Sequence, residues 1–369
     1  MVGAGPAGAS AARVLAAAGI DVVLLEREVL PRYKVCGGGL VYRARRLLHA
    51  DVDDVIERPC HAATLSLAPA GHSITARRSQ PVVSMTMRAE LDQALVAVAA
   101  RAGARIVQGC EVQGLVTARD SVVLETAQGR LQAGFVVAAD GASGRIARWA
   151  GWRDGRVMAP ALEWEVSVPE TVRARFDGAA RFDLGAIERG YGWVFPKRSH
   201  LSVGIGVLLP RGRGPALKQA LLRYLDEVGV GPILSARRHG YVIPVTPRGN
   251  TLAQGRVLLT GDAAGLADPL TAEGISSALL SGRLAGEALV AAAPDPARVA
   301  AAYQSRLAAQ ILPELHAARP LARLLYTMPR IAGPLFRRYG DRVTERVTDV
   351  FMGQRSYADL ARRLPFVIK

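Results

Sequence analysis

Three groups of residues in this chain have types and spacings that suggest chemistry. The first is Gly3, Gly5 and Gly8, a Gly-x-Gly-x-x-Gly turn. Small residues follow it, with Ala7 in the first turn and a helix expected over Ala9 to Ala18. Gly19 and Ile20 then lead into a strand from Asp21 to Glu26. In such an arrangement the first glycine permits the tight turn, the second lets backbone approach a pyrophosphate, and the third lets helix and strand pack closely. The helix N-terminus presents free N–H groups to the phosphates. Glu26, with Arg27 beside it, is placed to bind ribose hydroxyls. The plain alternative is a glycine-rich turn with no ligand, and an acid in register argues against it. Only Met1 and Val2 precede Gly3, where a strand of about five residues is usual. The expectation is therefore a stunted central strand, or a natural start upstream of Met1.

Further segments specify the dinucleotide. Phe135 to Asp140 reads as an apolar strand, followed by Gly141-Ala142-Ser143. Val257 to Thr260 reads as a buried strand, followed by Gly261-Asp262. Asp140 and Asp262 then sit at strand ends, where Asp262 can bind a ribityl hydroxyl. Glu273-Gly274-Ile275 opens a long helix, whose N-terminus suits the electron-rich edge of a reduced flavin. Together these predict FAD.

The second and third groups lie outside this frame. Lys34-Val35-Cys36-Gly37-Gly38-Gly39-Leu40 is a glycine run beside a cysteine, which lets backbone approach a flat ligand. Cys36 is either a reactive thiol or a small buried hydrophobe. In Tyr191-Gly192-Trp193-Val194-Phe195-Pro196-Lys197, strand alternation puts Tyr191, Trp193 and Phe195 on one face. That face is an apolar wall or ordinary core packing.

Composition narrows the classes. The chain has 369 residues, half of them hydrophobic, which suits a folded protein of two or three interleaved units. Its formal charge is +15, but only four of its 47 basic residues are lysine, so arginine enrichment from coding bias suffices. No nucleic-acid module signature is present, and no nucleic-acid partner is expected. The cysteines Cys36, Cys60 and Cys110 form no Cys-x-x-Cys pair, so no metal or dithiol site is expected. A reducing, cytoplasmic location is the default. The six histidines are scattered, and nothing suggests hydrolysis. The most apolar stretch, Ser276 to Ala293, contains Arg283 and Glu287 and reads as a buried helix rather than a bilayer span.

The chain resembles the geranylgeranyl reductase family, within the flavoprotein fold shared with aromatic hydroxylases and flavin halogenases. Gly3–Gly8, Glu26, Arg88 with Leu91-Asp92, Asp140-Gly141 and Gly261-Asp262 carry the resemblance to the fold. Lys34–Gly39 and the Tyr-x-Trp-x-Phe-Pro run carry the resemblance to the reductases, with a weaker signal at Ser356-Tyr357-x-x-Leu360. The resemblance implies that Arg88, opening a helix to Arg101, reaches the flavin nucleotide, and that Val112 lies beside the adenine. It implies that Cys36 sits by the isoalloxazine and that Tyr191, Trp193, Phe195 and Pro196 line the substrate pocket. Cys36, Tyr191 and Trp193 are the expected catalytic residues. Gly3, Gly5, Ala7, Gly8, Glu26, Arg27, Cys36, Gly37, Gly38, Arg88, Val112, Asp140, Asp262, Gly274 and Ile275 are expected at the cofactor.

The expected fold is α/β: a discontinuous FAD-binding Rossmann-like domain (1–60, 85–155, 245–300), an interleaved antiparallel-sheet substrate domain (61–84, 156–244) and a helical C-terminal region (301–369). A hairpin is expected over Thr64 to Ala76 around Pro69-Ala70-Gly71, and a helical insert over Pro215 to Val228. An Arg-Gly-Arg-Gly loop lies at 211–214. The C-terminal helices are expected to be interrupted at Pro313, Pro320, Pro329 and Pro334. The basic stretch Leu321 to Arg338 reads either as a peripheral membrane contact or as a solvated surface helix. The expected activity is saturation of isolated double bonds in an isoprenoid chain, by hydride from reduced FAD and a proton. The electron donor is open between NAD(P)H, ferredoxin and a quinol-linked donor. A monomer or weak homo-oligomer is expected, in the cytoplasm or at the inner face of the membrane. The alternatives are a flavin monooxygenase or halogenase, for which Lys34 is the residue of interest, and a non-catalytic flavin-binding lipid carrier.

Overall fold

The computed structural model describes residues 1–67, 71–210 and 216–362. Pro69 and Ala70 of the hairpin turn, the loop at 211–214, Pro215 and the last seven residues lie outside them.

The glycine turn sits at the centre of a parallel sheet. Val23–Leu25 pairs in parallel with Arg105–Val107, and Val136–Ala138 with Val257–Leu259. Val2 joins the two halves, bridging Leu25 on one side and Ala138 on the other. Its N–H donates to the Val137 carbonyl at 3.0 Å, and the Ala139 N–H donates to the Val2 carbonyl at 2.8 Å. Ala253–Gln254 closes this edge antiparallel to Val257–Leu259. A three-stranded meander, Val112–Thr117, Val122–Thr126 and Gly129–Ala133, lies between the two halves in sequence.

Two helices cover the sheet through close backbone contact. Pro6–Ala17 packs on Ile275–Ala292. A Cβ on Gly282 would meet the Ala7 carbonyl oxygen at 2.0 Å, and one on Gly286 would meet Val14 Cβ at 2.8 Å. Ile275–Ala292 is long and apolar enough to cross a membrane, yet most of it is buried here as the partner of the first helix. Its sequence reading as a core helix holds, with its start one residue earlier.

The second layer is a seven-stranded sheet in the order Ser235–Pro244, Met158–Ser167, Leu201–Val207, Gly190–Pro196, Ala179–Leu184, Ala62–Leu67, His72–Arg77. The hairpin over 64–76 is present as its last two strands. One pair departs from the antiparallel expectation: Ala62–Leu67 runs parallel to Ala179–Leu184. More than a hundred residues separate these two strands in sequence, the flavin-binding segment 85–155 among them, so no hairpin dictates their direction. The insert is a helix at Leu217–Glu227, whose Tyr224 packs on Gly192.

The C-terminal region is helical, at Pro296–Gln310, Leu312–Thr327, Pro329–Met352 and Tyr357–Arg362. Pro313 and Pro329 fall in first turns, where their missing N–H costs nothing. Pro320 and Pro334 do not interrupt their helices as expected. Each removes one backbone bond, and the buried neighbours Leu321, Ala322, Tyr326 and Phe336 hold the turns in place. The stretch from Leu321 to Arg338 is not continuous either, because Met328 leaves the helical region at φ −124°, ψ 56°.

The helix contact gives a stability test. Gly282→Ala should destabilise the protein by about 1–3 kcal/mol, seen as a lower urea midpoint. Gly134→Ala, with nothing within 4 Å of the added carbon, should leave the midpoint in place. Equal effects would mean that the backbone contact at Ala7 does not constrain the pair.

Candidate active site

A cavity of about 520 Å³ runs from the glycine turn to the seven-stranded sheet. At its nucleotide end Gly3 has φ +97°, and a Cβ there would meet the Ala139 carbonyl oxygen at 2.4 Å. Gly5 faces open space, its nearest neighbour being the Arg88 guanidinium at 3.6 Å from an added Cβ. Glu26 is buried and accepts from the Ala4 N–H at 2.8 Å, which ties the strand end to the turn. Arg27 lines the rim with an exposed side chain. Val112 lines the same end, next to Cys110 and Glu111.

Four charged side chains form a chain under this end. The Arg88 guanidinium makes a two-pronged pair with Asp92, at 2.8 and 2.9 Å. Asp92 also accepts from Arg32 at 2.8 Å, and Arg32 reaches Glu26 at 3.4 Å. Asp92 is fully buried. Arg88 thus lines the cavity with its orientation fixed from behind.

Further along, Asp140, Asp262, Gly274 and Ile275 line the cavity together, although 135 positions separate the first from the last. Asp140 Oδ2 accepts from the Ile146 N–H at 3.0 Å, while its Oδ1 is buried without a protein partner. Gly274 sits beside Asp262, 3.5 Å from its Oδ1 to an added Cβ. Burial raises the pKa of both carboxylates. An orphaned buried oxygen, a glycine cradle and a helix N-terminus are the features a flavin dinucleotide requires.

The far end is aromatic. Tyr191, Trp193 and Phe195 lie on one face, with ring centroids 5.8 and 6.4 Å apart in sequence order. Phe182 stands at 5.2 Å from Phe195 and at 5.4 Å from Phe351 of the C-terminal helix. The wall closes on the cysteine loop. Gly37 and Gly39 press against it, since added Cβ atoms would fall 3.1 and 2.9 Å from Phe195. Gly38, at φ +62°, fits against the Thr86 carbonyl. The glycine run therefore serves its fit to this wall and to strand Val83–Thr86, besides any approach to a ligand. Trp193 lies across Gly204 of the neighbouring strand, where a Cβ would sit 2.2 Å from its ring.

A buried polar cluster lies behind the cysteine loop. The Trp193 indole N–H donates to Ser202 Oγ at 3.2 Å, and Ser202 donates to Glu163. Glu163 lines the cavity, as does Cys36. Lys197, 1% exposed, donates to the Thr86 carbonyl at 2.7 Å. Burial pushes the Glu163 pKa up and the Lys197 pKa down, so each is biased towards its neutral form. Lys34 lies over the Tyr241 ring at 3.2 Å, and burial with Arg88 nearby lowers its pKa to about 8. No group of three or more potential metal ligands occurs among the described residues.

Two expected residues do not line the cavity. Pro196 ends its strand on the opposite face to Tyr191, Trp193 and Phe195, because strand alternation is two residues. Gly8 is packed inside its own turn, 1.9 Å from the Gly3 carbonyl oxygen to an added Cβ. Ala7, Cys36, Gly37 and Gly38 do line it. The sequence reading missed Phe182, Phe351, Glu163 and Lys197. Only Glu163 left a local signal: it alternates with Glu165 in an otherwise apolar strand.

A family profile described as FAD binding domain matches residues 1–170. A digeranylgeranylglycerophospholipid reductase from Methanopyrus kandleri is 33% identical over 88% of this chain and 89% of its own length. A menaquinone reductase from Mycolicibacterium smegmatis is 31% identical over 91% of this chain and 86% of its own length. The crystal structure of a geranylgeranyl bacteriochlorophyll reductase-like protein from Thermoplasma acidophilum superposes with a TM-score of 0.81. It is 22% identical and covers 100% of this chain and 98% of its own.

Two measurements on flavin-free protein test the electrostatics. Asp92→Ala leaves Arg88 and Arg32 buried without their carboxylate, and should cost about 3–5 kcal/mol in urea unfolding. An effect below about 1 kcal/mol would show that the charge chain is not constraining. For Lys34, the folded pKa of about 8 lies below its ordinary 10.5. Between those values the unfolded chain holds a proton that the folded one has released, so stability rises with pH. The stability of the wild type relative to Lys34→Met should therefore climb as pH rises through that window. A flat difference would mean that Lys34 is not desolvated.

Proposed function

The chain belongs to the geranylgeranyl reductase family of FAD-dependent oxidoreductases, and from that premise we propose that it saturates isolated double bonds of an isoprenoid lipid held against the aromatic wall. The observation that carries this reading is the meeting of that wall with the Cys36–Gly39 loop in the same cavity as Asp140, Asp262 and Gly274. FAD, when bound, supplies the hydride from its reduced ring.

The residues of the chain do the rest. The glycine turn, Glu26 and Arg88 hold the nucleotide half. Asp140, Asp262 and the N-terminus of Ile275–Ala292 hold the half that carries the ring. Phe182, Tyr191, Trp193, Phe195 and Phe351 exclude water and bind the chain, and their π faces stabilise positive charge developing on an alkene carbon. Each saturation adds one hydride to one carbon and one proton to the other. Glu163, buried at the cavity wall and biased towards its protonated form, holds that proton at its carboxyl group. Cys36 and Glu163 line the same cavity. Reducing equivalents come from NAD(P)H or a ferredoxin. Three free cysteines suit a reducing compartment, and we place the protein in the cytoplasm, as a monomer or weak homo-oligomer.

Anaerobic incubation of the flavin-loaded protein with geranylgeranyl lipids and dithionite should yield products two daltons heavier per turnover. Turnover that requires oxygen would instead establish a hydroxylase or halogenase, and bound lipid without turnover a carrier. Glu163→Gln keeps the side-chain shape but carries no transferable acid proton. It should retain flavin and lose on the order of 10²-fold in turnover. Turnover equal to wild type would remove Glu163 as the proton source.

A further inference from the structure

The helix that contributes Phe351 to the cavity carries a second feature on its outer side. Met328, Ile331, Leu335 and Tyr339 follow one another at intervals of three, four and four residues, so they form one stripe along Pro329–Met352 and the turn before it. All four are exposed, by 39, 53, 38 and 38%. Arg330, Arg337, Arg338 and Arg342 flank or interrupt the stripe, against one acid, Asp341, in the same fifteen positions. None of these arginines has an ion pair among the described residues, and all four are exposed. The other flank of the helix differs: there Arg78 reaches Glu345 and Asp349, at 2.8 and 2.7 Å. Arg319 and Arg323 of the preceding helix are likewise exposed and unpaired among the described residues.

We propose that this stripe docks the protein on an anionic lipid bilayer, with the apolar side chains in the headgroup boundary and the arginines on lipid phosphates. Long arginine stems can lie along the apolar stripe while their heads reach phosphate. A second copy of the chain is a poorer occupant, because pairing like faces brings arginine onto arginine. The inner face of the same helices adds a reason for the location. A crevice of about 20 Å³ shares Phe182, Tyr191, Thr271 and Phe351 with the main cavity and extends to Leu325, Val343 and Val347. Lipid on the outer face is thus separated from the aromatic chamber by the thickness of one helix layer. That purpose rests on the isoprenoid reading; the docking itself does not.

Vesicle flotation of the flavin-loaded full chain tests the contact. The protein should float with phosphatidylcholine–phosphatidylglycerol vesicles, bind phosphatidylcholine alone weakly, and release in high salt. Arg337→Glu with Arg338→Glu should lower partitioning by at least roughly 30-fold. Ile331→Glu with Leu335→Glu should abolish it. The matched exposed pair Arg119→Glu and Arg153→Glu should leave it unchanged. Equal binding by all variants, or no binding to anionic vesicles, overturns the proposal. So does a dimer in solution that Ile331→Glu dissociates. Turnover of detergent-dispersed substrate should be the same in all variants, so loss of docking and loss of the reductase reading give different results.

Discussion

The chain of charges from Glu26 through Arg32 and Asp92 to Arg88 is the constraint on which the site depends. From Glu26 to Gly38 the backbone has no helix or strand. That segment nonetheless carries Lys34 and Cys36 into the cavity. It is held by side chains: Arg32 fastens it to the helix Arg88–Arg101 and to the strand end at Glu26. Tyr33 donates to Glu165 at 3.0 Å, and the Leu30 N–H donates to Gln108 at 2.6 Å. Buried ion pairs contribute little net stability against an apolar replacement, but they specify arrangement, because breaking one leaves a charge stranded. Here they fix a loop of irregular backbone between two layers.

The loop and the aromatic wall constrain each other. Gly37 and Gly39 have no side chain because Phe195 and Trp193 occupy that space, and Trp193 lies flat because Gly204 has none beneath it. The strand Gly190–Pro196 is buried on both faces, with Tyr224 against Gly192 on the other side. Any change in ring position must therefore move either the loop or the helix Leu217–Glu227. A chamber built this way has little freedom to widen, which suits a ligand that offers shape rather than polar groups.

Legibility in the sequence followed the range of the interactions. The glycine turn, the strand ends at Asp140 and Asp262 and the helix start at Gly274 are dictated by neighbours within a few residues, and the structure brings them together. Alternation placed Tyr191, Trp193 and Phe195 on one face, and the same rule, carried one residue further, would have removed Pro196 from the pocket. Gly8 was assigned to the cofactor because the motif is read as a unit, yet its glycine is required by the Gly3 carbonyl. Phe351 and Phe182 were invisible, since their approach to the wall depends on how the C-terminal helix crosses the sheet. Pro320 and Pro334 carried a strong local signal that tertiary packing overrode. Met328, the residue before Pro329, breaks the helix, as the local signal of that proline predicts.

The polar cluster behind Cys36 bears on where the proton of the proposed reaction is held. Saturating a double bond needs a proton inside a chamber whose walls are mostly apolar. The Tyr191 hydroxyl is already committed to the Thr271 carbonyl at 2.6 Å, and burial raises its pKa. The Trp193 N–H is committed to Ser202. Arg88 is locked on Asp92 and does not release a proton near neutral pH. Among the residues at this end, Cys36, Glu163 and the lysines Lys34 and Lys197 remain. Lys197 faces the Thr86 carbonyl behind Gly38 and does not line the cavity. Lys34 lies towards Tyr241, on the side of Asp262. Glu163 lines the cavity and is joined through Ser202 to the indole of the aromatic wall. Burying a carboxyl group costs free energy unless it is neutral or well bonded. Ser202 bonds that of Glu163 on one side, and its place on the cavity wall is the one the proposed proton transfer requires.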